Sequence, residues 1–184
     1  MKIAVSLMVL SLFVNSCMFS NCEKKTLKKS DSSWFKVYKN GKSYIFSSNL
    51  GTFDTLTVVT NVNELTNCNK IEIGNYQLNY ALVKMTSPSY EDIIYMKFIT
   101  TESNNVNRSF MFADLYAIYE GNDIRKCKDK IKIESIADSL DVYTFDKSNA
   151  SSEGSGLIKS FSWSKEHGIV RYITKEDEIF ELVK

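Results

Sequence analysis

Residues 76–82, Tyr-Gln-Leu-Asn-Tyr-Ala-Leu, show most directly how this chain folds. A large apolar or aromatic side chain recurs at every second position from Tyr76 to Leu82, which places these side chains on one face of an extended strand. Turn-forming sequences bound the stretch, with Gly74-Asn75 before it and Ser87-Pro88-Ser89 after it. The stretch therefore predicts one strand of a sheet.

The same two-residue period recurs along most of the chain. Asn40-Gly41 predicts a hairpin turn between a strand at Phe35 and Val37 and a return strand at Tyr44. Residues 124–147 leave two alternatives open, namely further strands or a short helix over 133–140. Further strands are predicted at 56–62, 93–101, 109–119, 157–163, 169–174 and 179–183. Eight to ten short strands predict an all-β fold, either an antiparallel β-sandwich or a partly closed barrel.

The first sixteen residues have the anatomy of a secretory signal peptide. Lys2 supplies a positive charge, residues 3–14 are apolar, and Asn15-Ser16 forms a small polar exit. The apolar run falls short of the roughly 20 residues that a membrane-spanning helix needs. We therefore expect residues 1–16 to be removed.

Val14-Asn15-Ser16-Cys17 resembles the lipobox of bacterial lipoproteins. The resemblance implies cleavage before Cys17 and acylation of its sulfur, and two or more acyl chains on one residue give a lasting membrane anchor. Cys22, after Phe19-Ser20-Asn21, is an alternative site with a poorer fit, and a plain signal peptide is the other alternative. The expected organisation is a lipidated cysteine and polar tether over 17–33, followed by a single β domain over 34–184.

The four cysteines constrain the redox chemistry of an exported chain. If Cys17 carries lipid, Cys22, Cys68 and Cys127 remain. Since Cys68 and Cys127 both fall within the predicted domain, a disulfide between them is the natural proposal for an oxidising compartment. A metal site is not indicated, because there is no Cys-x-x-Cys and His167 is the only histidine.

The balance of charge argues against a nucleic-acid partner. The chain has 23 Lys and Arg against 22 Asp and Glu, whereas a basic excess supplies most of the affinity for nucleic acids. One local excess exists, and we interpret it as a solvated strand face rather than a polyanion site. It comprises Arg125, Lys126, Lys128, Lys130 and Lys132.

The sequence carries no motif of an enzyme or of a cofactor site. His167 lies in a predicted turn, there is no Gly-x-Ser-x-Gly elbow, and phosphate-binding glycine loops are absent. Acidic residues such as Glu176-Asp177-Glu178 fall at predicted turns, where solvent-facing carboxylates are common. We expect a non-enzymatic protein without cofactor, and a carboxylate-based hydrolase is the less favoured alternative.

Aromatic residues are the remaining candidates for a binding surface. Rings at strand ends can stack on sugars or form a groove, or they can fill the core. The candidates near predicted strand ends are Trp34, Tyr38, Tyr44, Trp163 and Tyr172.

Two segments resemble small uncharacterised lipoproteins of Bacteroidota. They are residues 161–172, Phe-Ser-Trp-Ser-Lys-Glu-His-Gly-Ile-Val-Arg-Tyr, and residues 50–56, Leu-Gly-Thr-Phe-Asp-Thr-Leu. The resemblance implies an all-β lipoprotein of the outer membrane, on its periplasmic or its surface face, without an assigned activity.

Together these features predict an exported, membrane-anchored lipoprotein that serves as a non-enzymatic binding or structural module of the cell envelope. Its partner would be a protein, a glycan or an apolar ligand. The alternative is a carrier that holds an apolar ligand in a half-barrel.

Overall fold

The computed structural model describes residues 22–68, 76–101, 103–136, 139–151 and 157–183. It confirms the predicted all-β class, with 58% of residues in strands and 8% in helices. One short helix, α1 (Lys29–Ser32), and two 3₁₀ turns (Ser33–Phe35 and Asp123–Cys127) accompany the strands. The strands are β1 (Glu23–Lys25), β2 (Ser43–Ser48), β3 (Phe53–Leu65), β4 (Tyr76–Ser87), β5 (Tyr90–Thr100), β6 (Val106–Phe112), β7 (Leu115–Glu120), β8 (Lys128–Ile131), β9 (Leu140–Asp146), β10 (Ile158–Ser164), β11 (Gly168–Thr174) and β12 (Ile179–Leu182).

Strands β2 to β12 form one antiparallel sheet that curls into a half-barrel. Each strand pairs with its neighbour in sequence, except that β7 and β8 lie at the two edges and β2 pairs with β12. The partly closed barrel is therefore the correct one of the two predicted architectures. β1 lies outside this order and pairs in parallel with the start of β4, where Glu23 is opposite Tyr76.

The curled sheet has two ends, which we name by the turns they carry. The N-terminal end holds β1, the turn between β5 and β6, and the turn between β10 and β11. The distal end holds the turns between β2 and β3, between β6 and β7, and between β11 and β12.

Aromatic side chains fill the concave side of the sheet. Trp34 and Trp163 are 2% and 0% exposed, and rings from opposite halves of the sheet meet there, with Phe110 stacked on Phe145 at 4.6 Å between centroids. Such rings bury large apolar areas and favour offset or edge-to-face contacts. The interior is thus a packed core.

Three local predictions need correction. The 109–119 strand is two strands, because Ala113 adopts a positive φ of 50° and opens a tight turn between β6 and β7. Phe35 lies in a 3₁₀ turn rather than a strand. In β4 the fully buried side chains are Ala81, Val83 and Met85, so the core lies on the face opposite Leu78 and Tyr80.

The predicted disulfide between Cys68 and Cys127 is wrong. Cys68 is bonded to Cys22, with 6.1 Å between their Cα atoms, and Cys127 is a buried free thiol. Pairing of β1 with β4 brings Cys22 to the end of β3, which Cys68 follows, whereas Cys127 lies in the 3₁₀ turn before the edge strand β8.

The predicted tether over 17–33 is wrong for residues 22–33. Besides β1 and the disulfide, this segment contains Asp31, which is buried and forms an ion pair with Arg108 of β6. The segment crosses the N-terminal end of the half-barrel and delivers Trp34 to the core. The folded domain therefore begins no later than Cys22.

Candidate functional site

A polar cleft of about 470 Å³ lies at the N-terminal end of the half-barrel. Helix α1, the turn between β5 and β6, the second 3₁₀ turn and the turn between β10 and β11 surround it. Among the described residues its charged lining is strongly asymmetric, with five cations and one carboxylate. The cations are Lys28, Arg108, Arg125, Lys128 and Lys165, and the carboxylate is Asp31.

The one carboxylate is already committed to a cation. Asp31 accepts a hydrogen bond from Arg108, and the two side chains are 8% and 10% exposed. Arg108 also donates to the carbonyls of Gly121 and Val106 and lies 5.4 Å from the Phe98 ring centroid. This ion pair holds α1 against β6, and removing either partner would leave the other charge buried and uncompensated. The pair therefore contributes no free charge to the cleft.

Lys165 stands over the aromatic wall of the cleft. Its Nζ lies 5.1 Å from the Trp34 ring centroid and 5.8 Å from that of Tyr143, distances typical of cation–π contacts. Partial burial lowers the pKa of its ammonium, an effect that the carboxylates of Asp31 and Glu166 oppose. Within the described part of the chain no carboxylate comes within ion-pair distance of Nζ.

The other three cations lie exposed on the cleft and are also unpaired among the described residues. Lys28, Arg125 and Lys128 form none of the ion pairs there. Neighbouring lysines outside the cleft do have partners, since Lys126 pairs with Asp123 and Lys130 with Asp141. The cleft therefore gathers four cations that form no ion pair among the described residues.

A second depression of about 650 Å³ adjoins the cleft and shares Lys128, Tyr143 and Lys165 with it. Its other charged residues are mixed in sign, with Lys130 beside the carboxylates Asp129, Asp141 and Glu166. With the shared lysines included, the second depression has three cations and three carboxylates among the described residues, so the excess of cations belongs to the first cleft. Asn104, Asn105 and Asn122 also line that cleft, and asparagine amides can donate hydrogen bonds to an anion.

This arrangement suits anion binding better than catalysis. Lysine ammonium groups bind phosphates as point charges, and the guanidinium of arginine binds them through two donors. Near the four cations, the described lining offers no histidine or cysteine, and the carboxylate Asp31 is held by Arg108. Among the described residues no cluster of three or more potential metal ligands occurs.

The five aromatic candidates do not form a binding surface. All are 8% exposed or less, and they pack in the core. Trp34 and Tyr143 border the cleft only as a largely buried wall. Of the two alternatives for Trp34, Tyr38, Tyr44, Trp163 and Tyr172, a surface binding site or the core, the structure shows the core, because the curled sheet needs these large rings to fill its concave side.

Cys22 is unavailable as an alternative acylation site, since its sulfur is bonded to Cys68. Cys17 and the signal segment 1–16 lie outside the described residues. His167 is half-buried in the turn between β10 and β11. The acidic run Glu176-Asp177-Glu178 lies in the turn between β11 and β12 at the distal end, far along the sheet from the cleft.

The sequence identified part of the cleft without showing that it is a cleft. Arg125 and Lys128 belong to the basic cluster that was interpreted as a solvated face. Lys28 and Lys165 are separated along the chain by nearly the whole domain, so only the fold brings them to the same cleft. The local excess of basic residues near β8 was the one available signal.

In the described part of the chain, no helix has both the length and the apolarity required to cross a membrane. Comparison with known proteins found no matching family model, no matching curated protein and no matching solved structure.

Proposed function

We propose that this chain is an exported lipoprotein, anchored to a membrane through acylated Cys17, whose β domain binds an anionic ligand in the cation-lined cleft. The observation that carries the proposal is a set of four cations around one depression, none in an ion pair with a described residue, namely Lys28, Arg125, Lys128 and Lys165. Like charges gathered without counterions destabilise the free protein. A bound anion would relieve that repulsion.

The anchor rests on the lipobox-like Val14-Asn15-Ser16-Cys17 and on the resemblance to Bacteroidota lipoproteins of the outer membrane. The disulfide adds support, because it occupies Cys22 and leaves Cys17 as the candidate for acylation. In this reading the protein is a non-enzymatic binding module of the cell envelope.

A carrier of an apolar ligand is the second candidate, and the half-barrel shape of the sheet favours it. It has less support than anion binding, since the concave side is occupied by rings such as Trp163, Phe110 and Phe145, all 0% exposed. An apolar ligand would have to displace part of this core.

Binding of inorganic pyrophosphate, measured by isothermal titration calorimetry, tests the cleft. We expect saturable binding that weakens by about tenfold or more in the double variant Lys128→Gln/Lys165→Gln, since two charge-assisted contacts are lost. The matched control is Lys147→Gln/Lys175→Gln, which removes two exposed lysines at the distal end. Equal affinity in both variants, with unchanged circular dichroism, would contradict the proposed site.

The anchor is tested by the variant Cys17→Ala. We expect it to lose metabolic labelling by a fatty-acid analogue and to leave the membrane fraction, because the acyl chains supply the lasting attachment. The matched control is Cys127→Ala, which should keep both properties. Undiminished labelling of the Cys17 variant would remove the anchor from the proposal.

A further inference from the structure

The N-terminal end of the half-barrel is held close to the proposed anchor by the disulfide. Cys22 is covalently fixed to Cys68 at the end of β3. Four residues lie between Cys17 and Cys22, so the two are five steps apart along the chain, and a fully extended chain spans at most about 3.6 Å per step, or about 18 Å here. If Cys17 is acylated, this end of the domain lies within that distance of the membrane surface.

The cationic cleft lies at this same end. From Cys22 the chain runs through β1 directly to Lys28 on the cleft, and Lys24 and Lys29 of the same segment are exposed. The distal end faces away and carries the exposed carboxylates of Glu176 and Asp177 beside Lys175. Four cations that form no ion pair among the described residues therefore lie on the side that the short N-terminal connection holds toward the membrane, with the exposed carboxylate of Glu166 beside Lys165.

Distance decides whether that charge acts on the membrane. The attraction between exposed cations and an anionic surface decays over a Debye length of roughly 8–10 Å at physiological salt. A long flexible tether would leave the cleft outside this range most of the time. With the disulfide and the pairing of β1 with β4 in place, only the residues before Cys22 connect Cys17 to the domain, so this end stays within about 18 Å of the anchor, or about two Debye lengths.

We propose that the cleft docks onto the phosphate groups of anionic lipids in the membrane that anchors the protein, so that the domain stands on its N-terminal end. This inference rests on the proposed function, because it requires acylation at Cys17. Lys28, Arg125, Lys128 and Lys165 make the phosphate contacts. The cleft has a volume of about 470 Å³, which leaves room for a lipid phosphate together with its headgroup.

Lysine footprinting of the acylated full-length protein tests this orientation. The protein is inserted into vesicles of phosphatidylcholine alone or with one third phosphatidylglycerol, treated briefly with an amine-acetylating reagent, and analysed by peptide mass spectrometry. We expect acetylation of Lys28, Lys128 and Lys165 to fall about fivefold in the anionic vesicles, because headgroups cover these amines. Lys147 and Lys175 at the distal end serve as internal controls and should react equally in both.

The variant Lys128→Gln/Lys165→Gln keeps the anchor and provides the matched comparison. We expect protection of Lys28 to be lost in it, while its circular dichroism and its distal acetylation stay unchanged. If the variant does not fold, raising the salt concentration with the unaltered protein takes its place and should abolish the protection.

A third condition separates lipid from soluble phosphate. Glycerol 1-phosphate is added to the protein in vesicles of phosphatidylcholine alone. Protection by this compound, without any effect of phosphatidylglycerol, overturns membrane docking but leaves an anion-binding cleft. Equal acetylation in every condition overturns docking too, and pyrophosphate calorimetry then decides separately whether the proposed function fails with it.

Discussion

At the residue scale, Gly168 lies where the core contacts the turn that carries Lys165. Gly168 adopts a φ of +84° at the start of β11, and a Cβ built on it would lie 2.3 Å from the hydroxyl oxygen of Tyr38. That hydroxyl accepts a hydrogen bond from the backbone N–H of Ile169 at 3.1 Å. The close approach of Tyr38 and the positive φ each require glycine at this position.

We therefore predict that Gly168→Ala lowers the free energy of unfolding by more than about 2 kcal/mol, since overpacking adds to the backbone penalty. Gly51→Ala is the matched control, because Gly51 has a φ of +82° and no atom within 4 Å of the added Cβ. It should cost only about 1 kcal/mol. Urea unfolding of both variants measures the difference, and equal losses would show that Tyr38 moves aside freely.

A buried carboxylate at the distal end organises several strands at once. Asp54 of β3 is 4% exposed and accepts hydrogen bonds from Tyr172 at 2.6 Å, Ser87 at 2.8 Å and Ser89 at 3.0 Å. Hydrogen bonding to Asp54 and burial both raise the pKa of the Tyr172 phenol, with burial the larger cause. This carboxylate is buried, and its role is structural.

At the scale of elements, the two free edges of the sheet are treated differently. The residues after β9 cover the β7 edge, where Ser151 N–H donates to the Tyr116 carbonyl at 2.7 Å. The β8 edge instead carries exposed Lys128 and Lys130. Charged side chains on an edge strand discourage pairing with another chain, and Lys128 also belongs to the cleft.

The N-terminal segment is the element whose position depends most on a covalent bond. We predict that the double variant Cys22→Ser/Cys68→Ser lowers the free energy of unfolding by about 2–4 kcal/mol, because the disulfide closes a long loop across a sequence separation of 46 residues. Hydrogen exchange should also accelerate in Glu23–Lys25. Urea unfolding with and without reductant provides the measurement.

The double variant also provides the control. Reductant should destabilise the unaltered protein, whereas it should leave the variant unaffected because the variant lacks the disulfide. A peptide map without reduction should contain a cross-linked pair of peptides carrying Cys22 and Cys68. A map that joined Cys68 to Cys127 would contradict the fold of this segment.

At the scale of the whole molecule, several tyrosine side chains pack in or against the hydrophobic core. Burial raises the pKa of Tyr44 and of Tyr90 to about 12 and also raises that of Tyr38 well above its ordinary value. A raised pKa means that the folded state disfavours the phenolate. The resulting stabilisation is complete below about pH 10, the ordinary tyrosine value, and is lost as pH rises through the folded pKa values.

We accordingly predict alkaline unfolding that begins above pH 10 and coincides with ionisation of the buried tyrosines. Absorbance at 295 nm should report a late, cooperative phase that overlaps loss of the strand signal in circular dichroism. The urea-unfolded chain is the control, and its ten tyrosines should titrate together near pH 10. Complete ionisation near pH 10 with the strand signal intact would refute this.

Local pattern sufficed for much of the fold. The alternation in β3, β4 and β11 predicted strands because a side-chain period of two needs only neighbouring residues to be read. The break at Ala113 was not predictable in this way, since alanine does not favour a positive φ. Which face of β4 is buried also escaped the pattern, because Ala81, Val83 and Met85 alternate as well as Leu78 and Tyr80 do.

The sequence by itself determined the all-β class, most strand positions and the absence of recognisable catalytic motifs. Tertiary structure alone decided that Cys22 pairs with Cys68, that the five aromatic candidates are core, and that Lys28 joins Lys165 in one cleft. The physical reason is range: strand formation depends on adjacent residues, whereas a disulfide, a core and a cleft depend on which distant strands the curled sheet brings together.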